Sequence, residues 1–169
     1  MEVKNVKAFG ATAAEAPLDQ LSINRRTPTP HDVEIDILYC GVCHSDLHTV
    51  RNEWHDTTYP IVPGHEIVGK VSRVGELVKK FKVGDLAAVG CMVDSCRECE
   101  YCRDGLEQFC EPGNTLTYNS PDKHLDTPTY GGYSESVVVD ELRTARARQP
   151  QPCSHRTVAL CRHYHVLTT

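Results

Sequence analysis

No stretch of the chain approaches the roughly 20 consecutive apolar residues that crossing a bilayer requires. The opening MEVKNVKAFG also lacks the apolar core of a signal peptide. Both absences point to a cytosolic protein. Large apolar anchors are scarce, with one tryptophan, two methionines and three phenylalanines among 169 residues. At 40% hydrophobic residues this length supports one well-buried core, or one core plus a tail, and leaves a two-domain enzyme cramped. There is no internal repeat and no G-x-G-x-x-G, so a dinucleotide-binding βαβ unit of about 30 residues is not expected in these residues. From residue 142 onward acids, lysines and glycines are all missing, while five arginines and three histidines are present. That segment contributes +5 to a chain whose first 141 residues sum to −10.

Cysteine, by contrast, is abundant. Nine are present, and six of them fall between Cys43 and Cys110. In a reducing compartment such clustering favours metal ligands over disulfides. Cys40 closes an apolar alternation and Cys91 lies between Gly90 and Met92, so both are expected as buried packing residues.

Short apolar alternations, Val33 to Tyr39, Ile67 to Val74 and Val137 to Val139, read as strands. Pro63-Gly64, Gly84-Asp85, Pro112-Gly113 and Gly131-Gly132 punctuate them as turns, which predicts a mostly β domain with short helices. One helix is expected after Cys43, capped by Ser45 or Asp46 and running through Arg51. The polar stretch 112–130 reads as a surface loop.

The run CRECEYCRDGLEQFC spaces Cys96, Cys99, Cys102 and Cys110 as C-x2-C-x2-C-x7-C. Four thiolates fill the tetrahedral positions of zinc and leave none open, the mark of a structural site. An iron–sulfur cluster is the rival, but the bacterial ferredoxin run has a shorter last gap followed by proline. Core cysteines without a metal are a further alternative, opposed by the charged neighbours Arg97, Glu98, Glu100, Arg103 and Asp104.

Two further segments, GVCHSDLH at 41–48 and GHEIVGKVSRVGELV at 64–78, place cysteine and histidine at turns. Together with the four-cysteine run, YPIVPGHE, VGDLAAVG and TYGGYSE, they resemble the zinc-containing medium-chain alcohol dehydrogenases, in particular the cinnamyl-alcohol-dehydrogenase-like branch. The resemblance covers residues 1–141. It implies a GroES-like catalytic domain, ordinarily followed by a Rossmann domain holding NADP, and zinc-dependent interconversion of primary alcohols and aldehydes. It further implies Cys43 and His65 as ligands of a catalytic zinc, with Glu66 as a neighbouring carboxylate and Asp46 orienting His65. Ser45 and His48 would form a proton path, His44 would lie near the cofactor phosphates and Trp54 would line the substrate site. The residue types leave other readings open: a helix cap for Ser45, an exposed helix histidine for His48 and ordinary packing for Trp54. His55 stands where the branch has glycine. Oligomerisation in the family uses the cofactor domain, so its persistence in this chain is doubtful.

After VVVDE the resemblance stops at LRTARARQPQPCSHRTVALCRHYHVLTT. Read one base out of register, all 27 codon junctions permit FVLRVPDNLNPAATAPLLCAGITTYSP, the continuation expected for the family. Residues 142–169 are accordingly expected to be a frameshifted, disordered tail. The cysteine of PLLCAG, the third zinc ligand implied by the family, is then missing, and the chain is expected to lack dehydrogenase activity. The competing reading is a non-enzymatic zinc-binding module whose basic tail binds a partner or nucleic acid.

Overall fold

The computed structural model describes residues 2–147. Along the chain run β1 (Val3–Gly10), β2 (Asp19–Arg26), β3 (Asp32–Gly41), α1 (His44–Val50), β4 (Glu66–Val74), β5 (Leu86–Val89), β6 (Met92–Asp94), α2 (Glu100–Arg103), β7 (Thr115–Leu116), β8 (Ser136–Asp140) and β9 (Thr144–Arg146). All pairings between these strands are antiparallel.

The central sheet has the order β8-β3-β4-β5-β9. Its inner face follows from period-two alternation. Val33 lies opposite Val139, Ile35 opposite Val137 and Ile67 opposite Val89. These residues, with Val71, Phe81 and Ala87, form the main buried cluster. β1 and β2 make a separate ribbon over a smaller core of Val6, Ala8, Ile23 and Val62. A third cluster, Ala11, Val50, Ile61 and Tyr118, lies beneath α1. The mostly β architecture with short helices expected from the sequence is thus the architecture observed.

Several local expectations differ from the structure. Cys43, not Ser45 or Asp46, caps α1, because Asp46 occupies the third helical position and its carboxylate accepts the Cys43 amide proton at 2.9 Å. The polar stretch 112–130 is not a plain surface loop. It carries β7 and buries Thr115, Thr117, Tyr118, Ser120 and Thr129. Its hydroxyls satisfy backbone groups, as Thr117 does toward the Gly90 carbonyl and Thr129 toward the Leu116 carbonyl, so polar composition here is compatible with burial. Cys91 is exposed rather than packed. Residues 142–147, assigned on sequence to the tail, continue the fold: β9 pairs with β5, and the buried Thr144 hydroxyl donates to the Asp140 carbonyl. The rest of the expected tail, 148–169, lies outside the described residues.

Candidate metal centres

The first donor cluster forms where β3 ends and β4 begins. Gly41 pairs with Glu66 at the last rung of their ladder, so the chain leaving β3 toward Cys43 and the chain entering β4 through His65 meet there. The ligand atoms of Cys43, His65 and Glu66 all lie within 4.8 Å of one another. Thiolate, imidazole and carboxylate form a mixed donor set that fits zinc and leaves a coordination position open.

Asp46 organises this cluster from behind. The residue is 3% exposed, and its carboxylate faces the Nδ1 of His65 at 3.3 Å and accepts from the backbone N–H groups of Cys43 and Gly64 at 2.9 and 3.0 Å. A proton on Nδ1 directed at Asp46 leaves Nε2 free as a ligand. Hydrogen bonding to Asp46 raises the His65 pKa above the usual imidazole range against the opposing effect of burial. Burial disfavours ionisation of Cys43, but the Ser45 hydroxyl and amide and the His65 ring outweigh it and lower the thiol pKa. The Ser45 Oγ lies 3.2 Å from the Cys43 sulfur and donates to it.

The remaining residues singled out from the sequence lie on or beside α1. His44 and His48, one helical turn apart, stack with ring centres 4.6 Å apart, and Trp54 leans on His48 at 5.2 Å. His48 also bonds through Nδ1 to Glu53. His44 and Trp54 are exposed, so this aromatic column borders solvent. None of the three belongs to the donor cluster itself.

Two tyrosines escaped the sequence reading. Tyr133 places its hydroxyl 3.3 Å from Asp46, and the Tyr118 ring lies 5.7 Å from that of His65. The first sits 87 positions from its partner and the second lies in the stretch read as a loop, so local patterning carries no sign of either contact. Gly64 has a clearer signal, as half of a Pro-Gly turn. It adopts φ +103°, and a Cβ there would meet Tyr133 at 2.7 Å and the Cys40 sulfur at 2.8 Å.

The second cluster joins Cys96, Cys99, Cys102 and Cys110, whose sulfurs again lie within 4.8 Å of one another. The Cys96 and Cys102 sulfurs are 3.8 Å apart, which matches the edge of a tetrahedron with about 2.3 Å zinc–sulfur bonds. Amide hydrogens of Cys99 and Glu98 point at the Cys96 sulfur and bring its pKa down to about 6. The Cys96 amide acts in the same direction on Cys110. Burial and the neighbouring thiols outweigh it, and the Cys110 pKa rises to about 11. Four thiolates this close require a cation to coexist, which is the chemistry zinc supplies.

An antiparallel β domain carrying one closed all-thiolate cluster and one open mixed cluster is the class that fold and sites define. The chain belongs to the alcohol dehydrogenase GroES-like domain family, which matches residues 29–149. It is 56% identical over 146 residues to the aldehyde reductase YahK of Escherichia coli K12, a match covering 86% of this chain and 42% of that protein. It resembles the crystal structure of a cinnamyl alcohol dehydrogenase from Helicobacter pylori complexed with NADP(H), with a TM-score of 0.84 at 40% identity, covering 89% of this chain and 44% of that one. A cinnamyl alcohol dehydrogenase of Sorghum bicolor gives 0.83 at 43% identity, covering 88% and 42%. The chain thus spans less than half the length of each of these relatives.

Proposed function

We propose that this chain is the catalytic domain of a zinc- and NADP-dependent alcohol dehydrogenase that interconverts primary alcohols and aldehydes in the cytosol. The observation that carries this reading is the convergence of Cys43, His65 and Glu66, with Asp46 set behind the histidine. Cys43 and His65 would hold the catalytic zinc, with Glu66 beside them, while the four-cysteine cluster would hold a structural zinc. A zinc held there would supply Lewis-acid polarisation of an alcohol oxygen, the chemistry that makes hydride departure feasible. Asp46 fixes the imidazole of His65, so the ring keeps one tautomer and one orientation. Ser45, beside Cys43, would take the alcohol proton, and His48, one turn along α1, would carry it outward to solvent. His44 would face the cofactor phosphates and Trp54 would form part of the wall for a small substrate.

No G-x-G-x-x-G occurs in the 169 residues, so hydride transfer requires a cofactor site that they do not encode. We further propose that residues 142–169 arise from a frameshift near Glu141, with Thr144–Arg146 among them still able to pair as β9, and that the shift would also remove the third zinc ligand. The purified chain is then expected to show no NADPH-dependent aldehyde reduction. Resequencing codons 139–143 and expressing the corrected frame should restore that activity, and Cys43→Ser should abolish it. Activity of the uncorrected chain, or a confirmed frame with no family-like continuation, would refute the proposal.

A further inference from the structure

We propose that Gly41 is a positioning residue whose missing side chain allows the Glu66 carboxylate to fold back onto the metal cluster. The inference rests on the reading of Cys43, His65 and Glu66 as a metal site, and assigns a task to a glycine within the GVCHSDLH segment.

Gly41 and Glu66 are directly opposed on β3 and β4. Opposed residues of an antiparallel pair project to the same face, so their side chains compete for one volume. A Cβ at position 41 would lie 2.3 Å from Glu66 Oε2, 3.0 Å from its Cβ and 3.2 Å from its Cδ. All three nearest obstacles therefore belong to Glu66. The backbone does not demand glycine here. Positive φ occurs at Gly64, Gly84, Gly105 and Gly113, whereas Gly41 has the extended conformation of a strand residue that any amino acid adopts. The position is also only half-buried, so a methyl group displaces no core residue. What glycine provides is space for one rotamer of the opposite glutamate. Alanine would leave Cys43, His65 and Asp46 in place and turn the carboxylate away from them.

Cobalt substitution tests this on the full chain, using the visible d–d spectrum. The difference between the chain and its Cys43→Ser variant isolates the cluster from the four-cysteine site. In that difference, Glu66→Gln should alter the bands and weaken cobalt binding about ten- to a hundredfold. Gly41→Ala should produce the same spectral change and a similar loss of affinity, with its melting temperature near that of the unmodified chain. The double variant should equal Glu66→Gln alone, because both changes remove one interaction. A Gly41→Ala spectrum identical to the parent while Glu66→Gln differs would overturn the role of Gly41 and leave the metal site standing. No cobalt signal dependent on Cys43, or none sensitive to Glu66→Gln, would overturn the underlying site and this inference together.

Discussion

Asp46 and Asp32 are both nearly sealed from solvent, at 3% and 2% exposure, and each is ionised for a different reason. Asp46 accepts the amides of Cys43 and Gly64 and faces His65, so its charge serves to orient the donor cluster. Asp32 serves the fold. Its Oδ2 accepts from Arg26 at 2.5 Å and from the Thr29 amide at 2.7 Å. Burial works against the charge, but these hydrogen bonds prevail and hold the Asp32 pKa below the usual carboxylate range. Because the folded-state pKa is lower than the unfolded one, this stabilisation is present above about pH 4 and is lost as the pH falls through the folded value. Asp32→Asn should cost about 3–5 kcal/mol at neutral pH, because Arg26 is left buried without a counter-charge. The gap between the two proteins in urea unfolding should narrow steadily below about pH 4. A gap that stays constant down to pH 2 would show that Asp32 is not the group responsible.

The elements that could be read from the sequence are those whose signal is local. Val33 and Ile35 alternate because they share the face of β3 turned to the main apolar cluster, and Cys96, Cys99, Cys102 and Cys110 are close enough in sequence for one loop to bring their sulfurs together. What local patterning does not carry are contacts that exist only once strands are registered: Glu66 against Gly41, Tyr133 against Asp46, and Arg97 against β8. Register is set by the packing of whole faces, not by the residues that eventually touch. The same limit explains Cys91, whose apolar neighbour Met92 suggested burial although the residue lies exposed just before β6. Arg97 illustrates what long-range contact adds. Held at φ +64° between Cys96 and Cys99 of the four-cysteine cluster, it contacts Asp94 at 3.0 Å and Asp140 at 2.9 Å. The second contact lacks hydrogen-bond alignment, so the buried Asp140 Oδ2 relies on Arg97 for its charge balance among the described residues. The four-cysteine cluster is thereby tied to β8, the edge strand of the central sheet. Arg97→Gln should destabilise the domain by about 1–3 kcal/mol in denaturant unfolding, and adding Asp140→Asn should recover part of that loss. Additive losses would mean that the two groups do not interact.

For the whole molecule, the described fold is a family domain with its own core, two metal-competent clusters and no helix, among the described residues, long and apolar enough to cross a membrane. The two clusters differ in how they are enclosed. The all-thiolate set is filled by one continuous stretch from Cys96 to Cys110, whereas the mixed set joins segments more than 20 positions apart and has three protein donors among the described residues. A metal on the first should resist chelators, while one on the second should be lost readily. Zinc content of the purified chain, measured by elemental analysis before and after brief exposure to a chelator, examines both sites at once. Two zinc ions per chain are expected, falling to one after chelation and to one in Cys43→Ser without chelation. A single zinc in the untreated chain, or two retained in Cys43→Ser, would contradict the assignment of Cys43, His65 and Glu66 as a metal centre.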